Sequence, residues 1–277
     1  MSSRALTVLI AVMGCRPPPP AIDPGAPLPA PTEVLARLEA RAQQRTSIRA
    51  LGRATYFGPQ GRVRLKMVVA AARPESVRIE TLSPLEQPID VMVSSGKRMW
   101  LLSDGHLREG PATPENVGRI LPFPMAVPAL VDTLLGGVPL DTFDARSVAL
   151  NDEGAYVIEL IERAGAGQTL RVAVDPSSLA VLSVDSGSMK IAFEDLEEIP
   201  PATGLFPRKI RVAVAARDLD VRIQFQEVEL NVLLDAQLFT ITPPPGVIPE
   251  LLPSPPVVLP STRGSTVAGW RSEAQAE

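Results

Sequence analysis

The chain has 277 residues, enough for one large domain or two small ones, and it is 45% hydrophobic and 21% charged, as folded proteins commonly are. Aromatic residues make up only 4% while prolines number 30, about twice the usual share, so any core must be aliphatic. A net charge of −4 without a basic block excludes a nucleic-acid partner, and a single Cys and a single His exclude an internal disulfide, a cysteine-based metal cluster and a His-rich metal site.

The first fifteen residues read as a short signal sequence. Arg4 supplies positive charge, and Ala5 to Met13 form a nine-residue apolar stretch too short to span a bilayer as a helix. The ending Val12-Met13-Gly14-Cys15 resembles a bacterial lipobox, in which a small residue precedes a cysteine that is acylated and becomes the new N-terminus. Cys15 is therefore the expected lipidation site; a plain secretory signal with an incidental cysteine is the alternative. Residues 16–31 are rich in Pro, Gly and Ala with no apolar periodicity, an extended tether. An acylated Cys15 would anchor the chain and the tether would hold a domain off the membrane. Arg16 follows the cysteine where Asp retains Gram-negative lipoproteins in the inner membrane, so the outer membrane is expected.

A domain is expected over 32–250. Thr32 is placed to cap a helix running to about Thr46, with Val34, Leu35, Leu38 and Ala42 on one face. The period then switches to two. Val63, Leu65, Met67 and Val69 alternate with Arg62, Arg64 and Lys66; Val77 and Ile79 alternate with Arg78 and Glu80; Ile89, Val91 and Val93 continue the pattern. Thr113 caps a short helical piece with Pro114 at its first position, and a second piece runs from about Pro128 to Leu135 and stops at Gly136-Gly137. Leu170, Val172 and Val174, then Ile210, Val212 and Val214, then Leu219, Val221, Ile223 and Phe225 resume the two-residue period. Turn signals such as Asp104-Gly105, Asp152-Glu153-Gly154 and Asp175-Pro176 separate about eleven strands. The fold class is thus mainly β with α additions: a strongly curved antiparallel sheet or barrel, with the N-terminal helix and the 114–136 helices as the candidates to cover its middle. A barrel of that size is too wide to fill with its own side chains. Residues 251–277 are again rich in Pro, Ser and Thr and read as a disordered tail.

The middle of the chain resembles the LolA/LolB superfamily of lipoprotein transport. The strand Ser76 to Leu82 is followed by Ser83-Pro84-Leu85-Glu86-Gln87-Pro88, similar to the family's Ser/Asn-Pro-Leu-Gly turn, with Glu86 standing where the family carries Gly. A strand pair around Trp100-Leu101-Leu102-Ser103-Asp104-Gly105 comes next, and then Leu121 to Pro139, which resembles a helical insert of the form P-hydrophobic-P followed by L-x-x-L-L-G-x-P. The resemblance covers about residues 32–250. It implies an unclosed antiparallel β-barrel with short helices over its open side, an apolar cavity for acyl chains inside it, acylated lipoprotein or lipid as cargo, and a soluble LolA-like carrier as donor. The lipobox tilts the chain toward the LolB-like side, lipid-anchored on the periplasmic face of the outer membrane. There an exposed leucine on a protruding loop helps deliver cargo, and Leu85 stands at the matching turn; packing of Leu85 over the barrel rim is the alternative.

The expected cavity lining comprises Val63, Leu65, Met67, Val77, Ile79, Val91, Val212, Val214, Val221 and Ile223, with Leu130 and Leu134 of the insert covering it. No catalytic constellation is legible. There is no Gly-x-Ser-x-Gly elbow, a triad would need His106, and Gly165-Ala166-Gly167 has no helix after it. The acidic cluster Glu194, Asp195, Glu197 and Glu198 reads as a solvated strand end, with Ca²⁺ as the sharper alternative. No enzyme activity, metal or cofactor is expected. Some members of the superfamily sense envelope stress, so a scaffold or sensor lipoprotein that keeps the barrel but binds a protein partner is the second functional reading, and the Pro-rich tail favours it.

Overall fold

The computed structural model describes residues 27–253, apart from 60, 165, 166, 244, 245 and 247. Cys15, most of the tether and residues 254–277 lie outside the described residues.

Helix α1 spans Pro31–Gln43. It begins before Thr32, because Pro31 takes the first helical position, where its fixed φ suits the helix and its missing N–H would have gone unpaired. Extended Ala30 is the N-cap and no side chain caps the helix, so the expected role of Thr32 is not realised. Val34, Leu35 and Leu38 form its buried face.

Six strands follow: β1 Ser47–Gly58, β2 Gly61–Ala72, β3 Ser76–Leu82, β4 Pro88–Ser95, β5 Arg98–Ser103 and β6 His106–Pro111. The helical insert comes next, with α2 at Pro114–Val117 and α3 at Val127–Leu134. The Thr113 side chain accepts from the backbone N–H of Asn116, the expected cap. Seven further strands complete the main series: β7 Phe143–Leu150, β8 Tyr156–Glu162, β9 Thr169–Val174, β10 Val181–Asp185, β11 Lys190–Glu198, β12 Leu205–Val214 and β13 Leu219–Leu230. Glu250–Leu251 form a short β14.

The strands make one fourteen-stranded sheet in the order β14-β6-β5-β4-β3-β2-β1-β13-β12-β11-β10-β9-β8-β7. It exceeds the expected count of about eleven, but the class is the expected one: the order is linear, its two ends do not pair, and the barrel is unclosed. Among the described strands only β14 pairs in parallel, with β6. One face carries Ile48, Met67, Val77, Ile79, Met92, Ile158, Val172, Ile210 and Val221, from strands spread along the sheet, and all belong to a single buried cluster with α1 and α3. The sheet therefore curls around the helices, which fill its concave side. Where β1 meets β13 the register shifts at Leu51/Gly52. A Cβ on Gly52 would come within 2.7 Å of the Gln224 carbonyl oxygen, so only glycine permits this close approach.

Beyond β13 the chain doubles back. Asn231 accepts from the Thr46 N–H at 2.9 Å and donates to the Gln44 carbonyl at 2.9 Å, fixing the turn. Phe239 then packs on the convex face against Ala70, Val91 and Val93, with Leu234 and Ile241 beside it. The segment reaches the sheet edge as β14. Leu252 is 4% exposed and donates its N–H to Glu109 at 2.7 Å, and Asn116 donates to the Pro253 carbonyl at 2.9 Å. Leu252 joins the main core, so the chain remains docked past the expected domain end at 250.

Candidate functional site

The concave face and the two helices enclose an apolar interior that holds most of the expected cavity residues. Met67, Val77, Ile79, Leu130, Leu134, Val212, Val214, Val221 and Ile223 all lie in its buried cluster. Leu65 shares their strand face and is half-buried, and Val63, two residues nearer the β1–β2 turn, is 49% exposed at the rim. Val91 is not part of this interior. It sits on the convex face in the second cluster, and Met92 and Ser94 take the inward positions opposite Ile79 and Val77. The reason is that β4 is covered on both faces, by the core on one side and by the Leu234–Ile241 segment on the other, so both phases of its alternation are apolar.

The interior is packed by its own side chains. Ile48, Met99, Val131, Ile158, Leu160, Phe206 and Ile210 have 0% exposure. Beneath the C-terminal ends of α1 and α3 a void of about 20 Å³ remains, room for one water and far below the roughly 300 Å³ of a small-ligand pocket. Arg45 borders that void and is itself 4% exposed. It donates to the carbonyls of Leu135 at 3.3 Å and Leu205 at 2.5 Å, and its guanidinium carbon lies 5.6 Å from the Phe206 ring centre. Its Nε has no partner among the described residues. Burial, with Arg41 and Arg73 nearby, pulls its pKa down to about 10. Arg41 donates to Leu205 at 3.2 Å and to the Ser178 carbonyl, and Arg73 donates to the Arg45 carbonyl at 2.8 Å and pairs with Asp132. These arginines tie the end of α1 to the end of α3 and to the start of β12. The carbonyl of Leu135, the C-cap of α3, is among those a helix leaves unsatisfied, and a cation there is favoured by the helix dipole. Gly136 follows at φ +73°, and a Cβ there would meet Pro207 at 2.6 Å. Helical periodicity puts Arg41 and Arg45 on one face of the expected helix, but their meeting with Arg73 and with the Leu135 and Leu205 carbonyls has no sign in the sequence, because folding brings those positions together.

On the concave side near β6, a depression of about 390 Å³ is lined by Leu101, Ser103, Arg108, Arg119 and Ile120. Leu101 belongs to the core cluster, so the depression adjoins the interior where the sheet is open. Arg108 is held at 3.1 Å by Glu250 of β14, which His106 also meets at 2.8 Å.

Leu85 is 82% exposed at the tip of the β3–β4 hairpin. Ser83 holds the turn: its N–H donates to the Gln87 carbonyl at 2.8 Å, and its hydroxyl accepts from the N–H groups of Leu85 and Gln87 at 3.2 Å. The turn is thus closed by backbone and serine, and Leu85 projects away from the rim rather than packing over it. Glu86 adopts φ +62°, in the left-handed region that favours glycine, at a cost of about 1 kcal/mol. Its carboxylate pairs with Lys66 on β2, which holds its pKa low.

In the acidic cluster, Glu194 pairs with Lys209 and Glu197 with Arg208. No group of three potential metal ligands occurs among the described residues.

Neither a family model nor a curated protein matches the chain. Solved structures do. A DUF1329 family protein from Desulfovibrio piger aligns with a TM-score of 0.58 at 15% identity, over 76% of this chain and 97% of that one. A domain described as outer membrane lipoprotein-sorting, from Vibrio parahaemolyticus, aligns at 0.56 and 12% identity, over 75% and 95%. A LolA superfamily protein from Nitrosomonas europaea aligns at 0.54 and 13% identity, over 77% and 99%. The fold is of the LolA/LolB type. At these identities the likeness concerns the fold, and the chain's own residues must carry its function.

Proposed function

We propose that this chain is a lipid-anchored envelope protein that binds acyl chains within its half-barrel, receives lipoproteins or lipids from a soluble LolA-like carrier and passes them to the outer membrane. The observation that carries this reading is Leu85, a large aliphatic side chain 82% exposed on a turn whose own hydrogen bonds hold it outward. An exposed leucine on a rigid hairpin tip beside an aliphatic barrel suits contact with a bilayer interface. Each methylene moved from water into the interior contributes about 0.8 kcal/mol, and handover to a bilayer returns a similar apolar environment, so transfer is nearly neutral and mass action can drive it. The packed interior requires side chains of α1 and α3 to yield before a chain enters, and the depression beside Leu101, Arg119 and Ile120 is the expected mouth.

Leu85→Glu is expected to leave thermal stability and fatty-acid binding unchanged, since Leu85 packs on little, while slowing transfer of a labelled lipoprotein to liposomes. A variant that unfolds would place Leu85 in the core, and one with normal transfer would remove it from delivery. Cys15→Ser is expected to release the domain from membranes or leave an unprocessed precursor. Unchanged fractionation and unchanged mass would refute the anchor.

The packing of the interior favours a second reading, a scaffold or sensor lipoprotein that keeps the barrel and binds a protein. Native mass spectrometry of protein taken from membranes separates the two: co-purifying lipid supports transport, and a lipid-free chain that fails to bind a displaceable fluorescent fatty acid supports the scaffold.

A further inference from the structure

We propose that the convex face of β1, β2, β12 and β13, at the end carrying the Leu85 turn, is a docking surface for a phosphate-bearing anionic lipid bilayer. This rests on the reading that the Leu85 end faces a membrane, and it adds the lipid class. Arg62, Arg64 and Lys66 of β2 point outward, since Met67 and Val69 in the other phase face the core. Across the ladder Lys66 lies opposite Arg53 of β1, and Arg222 of β13 lies opposite Arg211 of β12. Thr55 stands between Arg64 and Arg222. Like charges placed directly opposite on one sheet face destabilise it.

The same face balances its charges at its other end, where Arg49 pairs with Glu229 and Arg78 with Glu80. Near Leu85 it does not. Asp220 serves both Arg211 and Arg222, and Glu86 serves Lys66, while Arg53, Arg62 and Arg64 are exposed and meet no carboxylate among the described residues. Arg62 instead lies over the Phe57 ring at 5.4 Å, and Arg222 over the same ring at 4.9 Å. An unneutralised cationic field on one end of an acidic protein calls for an anion from outside.

The position of the field identifies that anion. A groove of about 390 Å³ has Arg53, Arg64 and Lys66 on one side and Pro84, Glu86 and Ile89 on the other. Ile89 is 43% exposed and Leu85 82%. Exposed aliphatics ringed by basic side chains are the pattern of an interfacial contact: the aliphatics enter the headgroup boundary and the arginines reach the phosphates. A purely acidic protein partner would leave Leu85 and Ile89 without a role.

The test uses the full chain carrying Cys15→Ser, so that no acyl anchor contributes, sedimented with phosphatidylcholine vesicles and with vesicles that also contain phosphatidylglycerol. Anionic vesicles should be bound more tightly, and the difference should shrink as salt shortens the screening length from about 10 Å at 0.1 M. The triple variant R53Q/R62Q/R64Q should lose the preference by about fivefold per arginine, on the order of a hundredfold in all. Its melting temperature should hold or rise, because like-charge contacts are relieved, and R53K/R62K/R64K should keep the preference. Leu85→Ser, which removes the apolar contact without adding charge, should weaken binding to both vesicle types alike; if it does not, the Leu85 reading fails while the arginine result stands or falls alone. Equal binding of the parent chain to both vesicle types, a salt-insensitive preference, or full preference in the glutamine variant would overturn the proposal. So would capture of a soluble acidic carrier without any vesicle preference.

Discussion

Leu134→Ala is expected to lower unfolding stability by about 2–5 kcal/mol and yet to bind a fluorescent fatty-acid analogue more tightly than the parent chain. Leu134 ends α3, is 1% exposed, and belongs to the same cluster as Ile79, Val212 and Ile223. Removing it costs the transfer energy of the lost carbons and leaves a void that a well-packed interior only partly closes. If that interior is the acyl site, the lid side chains and the ligand compete for the same volume. The void then gives an acyl chain room without first displacing Leu134, and apolar voids of this kind do take up apolar ligands. Two or three methylenes accommodated at about 0.8 kcal/mol each correspond to a gain on the order of tenfold or more. Denaturant unfolding and a displacement titration read the two effects separately. Loss of stability with no change in binding would show that the interior is core alone, and the scaffold reading would then stand.

The sequence made the barrel legible because most strands bury one face, and alternation reports that directly: Met67, Val77, Ile79, Val212 and Ile223 were all assigned to the interior they occupy. Val91 reads as interior by the same alternation but lies on the convex face, and the reason is physical. In Val91-Met92-Val93 every residue is apolar because a distant segment around Phe239 covers the outer face, so periodicity has no polar phase to mark the outside. The start of α1 was misplaced for a local reason, as a proline at the first helical position outweighed a capping threonine. The docking of Leu252 left no compositional sign, since it rests on the short β14 pairing and a contact over Gly110, where a Cβ would approach Leu252 to 2.6 Å. The basic face was visible as alternating arginines and lysines, but its imbalance was not. That depends on which strands become neighbours, and only the register sets Arg53 against Lys66 and Arg222 against Arg211. For Leu85 the sequence leaves exposure and packing over the rim both open, and the fold decides for exposure by setting the residue at the tip of the β3–β4 turn.

Arg45→Ala is expected to destabilise the fold by about 2–4 kcal/mol, and Arg45→Met by less than half of that. Two effects oppose each other at this side chain. Its burial is unfavourable: the residue is 4% exposed, and its guanidinium contacts carbonyls rather than a carboxylate, leaves Nε unpaired among the described residues, and sits near Arg41 and Arg73. Against this it satisfies the Leu135 and Leu205 carbonyls, packs on Phe206 and bridges α1 to α3 and β12. An unsatisfied buried carbonyl costs about 1–3 kcal/mol, but Leu205 keeps Arg41 as a donor at 3.2 Å, so only Leu135 is left wholly without its partner. Alanine adds a void where the long side chain lay, and methionine largely fills it while also removing the buried charge. Packing and hydrogen bonding therefore dominate for alanine, and relief of the buried charge offsets much of the loss for methionine. Chemical denaturation of both variants decides the matter: equal, large losses would mean that the hydrogen bonds alone hold the helices to the sheet, and no loss in either would mean that the arginine contributes nothing to closing the half-barrel.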